Sequence, residues 1–175
     1  MSETSGFAHF QEENVMAENN TLELAQQTYL KICRALDNKG WRYQKDDAQL
    51  AVSFGVRGED LEMNFRVKVY EEKQFVFISS VLPYTVPESK RVEVALAVSA
   101  VNCKLLAGNF DFNLQKGQIM FRINQSYMGS DISVDAFEKM IMACCGVIDD
   151  YNEKFMGIGT GMLDLHKFLA DHHNA

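Results

Sequence analysis

Gly157, Gly159 and Gly161 fall at every second position of the stretch FMGIGTGML, residues 155–163. Glycine is the residue type that lets backbone N–H groups close on a phosphate. A cradle of that kind needs its glycines between the end of a strand and the start of a helix. Here the segment before Gly157 has a helical period, and position 162, where G-x-G-x-x-G would need its third glycine, is Met162. No G-K-S/T follows. Met162, Leu165, His166 and Leu169 then resume a helical stripe, so the glycines are expected to mark a break or a close helix crossing in a C-terminal helical arm.

The other residues with chemical potential do not assemble into a site either. Cys33, Cys103, Cys144 and Cys145 lack metal-type spacing, and all lie in segments that read as helical. Cys144 and Cys145 have no Lys, Arg or His within one helical turn to stabilise a thiolate, and all four cysteines, Cys103 included, are expected as buried reduced thiols. His166 and Asp164 are two positions apart and diverge on a helix, while His172 and His173 are adjacent near the C-terminus, without the i, i+4 spacing of a helical metal site. Ser79 and Ser80 lie in an apolar strand with no G-x-S-x-G elbow, and the carboxylate pairs Asp46-Asp47 and Asp149-Asp150 read as solvated charge. These residues supply no catalytic motif and no metal-ligand set, and by themselves they do not state an activity.

Composition narrows the class further. The chain has 175 residues, 47% of them hydrophobic, which is enough for one well-filled domain. Its net charge of −7, with Lys and Arg scattered singly or in pairs, argues against a nucleic-acid partner. No run of 18 apolar residues and no signal-type N-terminus appears, so neither membrane insertion nor export is expected and the assignment is cytoplasmic.

The pattern around these residues changes period several times. Residues 1–20 are polar and aperiodic and read as a flexible extension, or a poorly packed first helix, with Phe7 and Phe10 available for docking. Thr21 opens a helical stripe that Gly40 ends. Three period-two runs follow, Leu50 to Val56, Leu61 to Val69 and Phe75 to Ile78, and their short connections predict an antiparallel meander. From about Glu88 to Leu106 the chain is helical and apolar almost all round, so this helix must be covered on more than one side. A hairpin over Asn109–Leu114 and Ile119–Ile123 comes next, and a third helix opens near Asp131 or Ser133.

The stretch LPYTVPESKRVEVALAVSAVNCKLLAGNFDFNLQKGQIMFRI, residues 82–123, has a strand leaving through prolines and a helix with Asn102 before Leu105, Gly108 and Phe110. A hairpin with a charged glycine turn completes it. This resembles the YbjN-type family, whose fold is similar to that of type III secretion chaperones, and the likeness spans residues 21–155. The resemblance implies a dimeric cytoplasmic sensory-transduction regulator or chaperone-like module that binds an extended protein segment along its sheet, without enzyme activity or cofactor.

Together these readings predict a two-layer α+β domain over residues 21–175, a three-stranded meander plus a hairpin with helices packed on it. Val94, Val98 and Val101 are the candidate dimer contact, and Phe75 and Phe77 the candidate partner-docking residues. The competing reading is a small-molecule-binding regulator or an enzyme whose pocket is built from residues assigned here to the core.

Overall fold

The computed structural model describes residues 3–130 and 132–174, with side chains from 20–130 and 132–172. The first helix, α1 (Glu3–Asn38), stops where Gly40 takes a left-handed φ of 66°. The expected extension over residues 1–20 lies almost wholly outside the described side chains, Phe7 and Phe10 included.

One antiparallel sheet follows, made by β1 (Tyr43–Asp46), β2 (Ala51–Arg57), β3 (Glu62–Tyr70), β4 (Phe75–Thr85), β5 (Asn109–Asn113) and β6 (Gln118–Ser126). Its spatial order is β1-β2-β3-β4-β6-β5. The meander thus has four strands rather than three. β1 is four residues long and polar, with only Tyr43 partly buried, so it carries no apolar alternation that a sequence reading could detect. The pairing of β4 with β6 slips between Val81 and Thr85, around Pro83, which has no N–H to donate to the ladder.

Strand alternation gives the sheet two unlike faces. Met63, Phe65, Val67 and Val69 of β3 are buried, as are Val76, Ile78, Ser80 and Leu82 of β4 and Ile119, Phe121 and Ile123 of β6. They form one core with the helices. α1 packs on β3, α2 (Arg91–Asn102) on β5 and α3 (Val134–Thr160) on β6, so all three cover the same face. The residues between them in sequence point to the other side, which no helix covers among the described residues.

α2 is shorter than its apolar run, because a 3₁₀ turn at Glu88–Lys90 precedes it and the regular helix ends at Asn102. It contacts β5, α3 and the last helix, α4 (Leu165–Asn174), which is why it is apolar on so many sides. Val94, Val98 and Val101 lie at 4% exposure or less. This corrects the expectation that they form an outward dimer contact: the chain's own helices cover them. The outward positions of α2 are Val92 and Leu96, 69% and 53% exposed.

The three glycines of the C-terminal stretch are resolved by α3. Gly157 and Gly159 lie inside the helix and are buried, and the break comes only at Gly161, whose φ of 77° is a left-handed cap. A Cβ on Gly157 would stand 3.1 Å from Leu163 Cβ, so the chain folds back closely over that position. This is the C-terminal pole of a helix, where carbonyl groups and partial negative charge repel an anion.

Candidate partner-docking face

The helix-free face is built by register. β3 and β4 pair Arg66 with Ser79, Lys68 with Phe77 and Tyr70 with Phe75. β4 and β6 pair Ser79 with Arg122, Phe77 with Asn124 and Phe75 with Ser126. Three strands therefore present three rows of three side chains, and no carboxylate stands in any row. Successive rows are two residues apart along the strands, about 6.8 Å.

The aromatic end of this grid is open to solvent. Phe75 is 41% and Tyr70 39% exposed, and Phe77, half-buried, meets Tyr70 edge to face at 6.4 Å between ring centroids. Lys68 Nζ lies 5.0 Å from the centroid of Tyr70 and donates to Gln49 Oε1 at 3.0 Å. Arg122 Nε stands 2.6 Å from Asp111 Oδ2, a pair whose members are about one third exposed. The Arg66 guanidinium projects from the same face without a hydrogen-bond or ion-pair partner among the described residues.

Two depressions border the strip. One, of about 360 Å³, is lined by Tyr70, Lys73, Phe75, Phe77, Arg122 and Asn124. The other, of about 530 Å³, reaches from Arg66 to Arg42 and Tyr43 at the sheet edge. Two more adjoin the strip, one of about 260 Å³ beside Lys68 and Tyr70 that includes Glu71 and Glu72, and one of about 370 Å³ beside Val81 and Met120 that includes Asp111.

The residues weighed for chemistry are dispersed. Burial pushes the Cys144 thiol up to about 12 and the Cys145 thiol to about 11, with the neighbouring thiol and Asp149 respectively adding to the effect. Both are packed as inert side chains. Asp149 Oδ1 accepts from the Glu59 backbone N–H at 3.0 Å and so pins the β2–β3 turn to α3. His166 is exposed, and Ser80 is buried while Ser79 points to the open face. His172 does not sit on a frayed tail, because it stacks on Phe168 in α4 and meets the edge of Tyr151. Among the described residues no group of three or more His, Cys, Asp or Glu is placed to hold a metal ion.

The alternation of Leu61 to Val69 and of Ile119 to Ile123 by itself turns Arg66, Lys68 and Arg122 away from the core. What it missed is the register that sets Lys68 opposite Phe77 and both Arg66 and Arg122 opposite Ser79. For Arg122 that depends on pairing between β4 and β6, which are separated by α2 and β5 in the chain.

An antiparallel sheet with α1, α2 and α3 on one side and a solvent-facing cationic and aromatic strip on the other defines an open-faced α+β domain. Residues 31–156 match the family described as "YbjN: Putative bacterial sensory transduction regulator". The chain belongs to the YbjN family. Among solved structures it is similar to YbjN from E. coli, described as "a putative transcription regulator", at 16% identity and a TM-score of 0.53 over 69% of this chain and 88% of that one. It is also similar to a chain of the HopA1-SchA chaperone-effector complex, at 10% identity and a TM-score of 0.50, over 74% of this chain and 94% of that one. At such identities the likeness is one of fold. No curated protein matches the chain.

Proposed function

We propose that this protein is a non-enzymatic, cytoplasmic regulatory or adaptor module that docks a polypeptide segment on the helix-free face of its sheet. The observation that carries this reading is the exposure of Phe75 and Tyr70 beside Phe77 on central strands, on a face left open among the described residues. A solvated aromatic strip on a rigid sheet offers burial to an incoming chain at little ordering cost to the sheet itself. The fold shared with a chain from a chaperone-effector complex supports the same reading.

The test is a photo-crosslinking side chain placed at Phe77, with Leu30 on the exposed side of α1 as control, in cells of the host organism. Covalent adducts with a polypeptide from position 77 and none from position 30 are expected. Adducts at neither position, or equally at both, would reject the face as the docking surface. A homodimer belongs to the same proposal, with its contact moved from the buried valines to Val92 and Leu96.

A further inference from the structure

From the grid we infer the chemistry of the segment: it is acidic, with two carboxylates two residues apart and an aromatic side chain two residues beyond. This rests on the open face being a docking surface, as proposed above, and names what docks there.

The first argument is charge. The whole chain carries −7, so its surface as a rule repels acidic polypeptides. The grid is the exception, with Arg66 and Lys68 on β3 and Arg122 on β6, on either side of β4, and no Asp or Glu in its three rows. Asp111 offsets Arg122, and Gln49 holds Lys68 without neutralising it. Arg66 is left with neither an ion pair nor a hydrogen bond for its guanidinium among the described residues. Two cations are thus available, and a basic segment would meet them in repulsion.

The second argument is spacing. Arg66, Lys68 and Tyr70 lie at alternate positions of β3, so their side chains repeat at about 6.8 Å, the same interval at which an extended peptide presents every second side chain. A segment lying along β3 sets one carboxylate against Arg66, the next against Lys68, and its third outward side chain against Tyr70 and Phe75. Phe77 fills the middle row next to Lys68, so it excludes water from that charge pair and raises its worth. A single-stranded nucleic acid would also use cations and aromatic rings, but it needs charge neutralised along its whole length, and the grid offers two free cations on a strongly acidic protein.

The probe is a fluorescein-labelled peptide with the core Phe-Ser-Glu-Ser-Glu-Ser-Phe, which satisfies the spacing in both chain directions. Fluorescence anisotropy with the full chain would compare it with three others: the same peptide with Lys for Glu, one of equal composition with the two Glu adjacent, and an oligo-dT of about 20 nucleotides. Saturable binding of the first is expected. It should weaken about tenfold or more in the Lys peptide, in the adjacent-Glu peptide and in the Arg66→Glu and Lys68→Glu variants, and it should fall as salt is raised. Circular dichroism would verify that these outward-facing substitutions leave the fold intact. If the Lys peptide binds as well and Phe77→Ala abolishes binding, the acidic preference is wrong while the docking face stands. Equal binding of the adjacent-Glu peptide would overturn the spacing. Tighter binding of the oligonucleotide, or of none of the probes, would overturn the inference, and the crosslinking from position 77 would then decide the fate of the docking face separately.

Discussion

The side-chain amide of Asn102 and the backbone of Phe110 exchange two hydrogen bonds, Nδ2 to the Phe110 carbonyl at 2.9 Å and the Phe110 N–H to Oδ1 at 2.8 Å. Asn102 is the last residue of α2 and Phe110 lies on β5, the edge strand, so the carboxamide takes the place of a missing neighbouring strand. It satisfies both peptide groups where the ring of Phe110 is buried against Phe121 and Phe155. Asn102→Ala leaves a donor and an acceptor unpaired and should cost about 2–4 kcal/mol. Urea unfolding with an unchanged slope would measure it, and a loss below about 0.5 kcal/mol would show that water replaces the side chain.

Two glycines should respond to alanine in opposite directions. Gly108 has a φ of 75°, and a Cβ there would meet Ile123 Cγ1 and Phe121 Cζ at 2.6 Å and the Arg122 carbonyl at 2.8 Å. Gly108→Ala combines backbone strain with a collision in the core and should destabilise by more than about 2 kcal/mol. Gly146 is exposed in the middle of α3, and a Cβ added there would meet nothing within 4 Å, so Gly146→Ala should stabilise by up to about 1 kcal/mol through helix propensity alone. Thermal unfolding of both variants checks the signs.

Local chemistry wrote much of this fold into the sequence, and tertiary pairing wrote the rest. The alternation in Leu61 to Val69 and Asn109 to Ile123 is visible because each strand buries one face only. The cap at Ser133, whose Oγ accepts from the Ala136 N–H at 3.2 Å, follows from residue type. β1 was invisible because its four residues bury almost nothing. The outward side of α2 was misread because an all-round apolar helix does not reveal which of its faces its own chain covers. The docking grid was half legible: period two identifies the cations, but the rows they stand in are a matter of register, and for Arg122 of register between strands distant in sequence.

The covering of α2 separates two substitutions that lie close together on the helix. Val98→Glu places an unpaired carboxylate in the core between α2 and its neighbours, where burial forbids the charge, and should give a chain that fails to fold. Leu96→Glu should fold normally and, if α2 carries the homodimer contact, convert dimers to monomers in light scattering. A folded Val98→Glu protein would refute the assignment of that valine to the interior, and a Leu96→Glu protein that stays dimeric would remove α2 from the dimer interface.

Thiol reactivity should divide the cysteines by burial. Cys103 is exposed at the C-terminal end of α2, whereas Cys33, Cys144 and Cys145 are buried. The raised values of Cys144 and Cys145 keep both protonated at pH 8, the form that does not attack alkylating reagents. Iodoacetamide on the folded protein should label Cys103 alone, with the other three reacting only in denaturant, as read by peptide mass spectrometry. Native labelling of Cys144 would mean that α3 opens far more readily than its packing implies.

The docking of α4 should weaken in acid. His172 stacks on Phe168 and lies against Tyr151, and Lys104 reaches its backbone carbonyl from the end of α2. Burial lowers its pKa below the ordinary value near 6.5. The charge of Lys104 acts in the same direction, a weaker hydrogen bond with the Ala100 backbone opposes it, and Lys154 adds the smallest lowering effect. The folded state therefore prefers neutral imidazole, and as pH falls through about 6.5 the unfolded chain takes up the proton first. Stability from this contact is complete above that pH and declines below it, the reverse of a histidine paired with a carboxylate. Urea midpoints between about pH 7.5 and 5.5, above the range where most carboxylates titrate, should fall for the native chain and change less for His172→Phe, which keeps the stacking surface and cannot titrate. Equal slopes for the two proteins would place the pH dependence elsewhere.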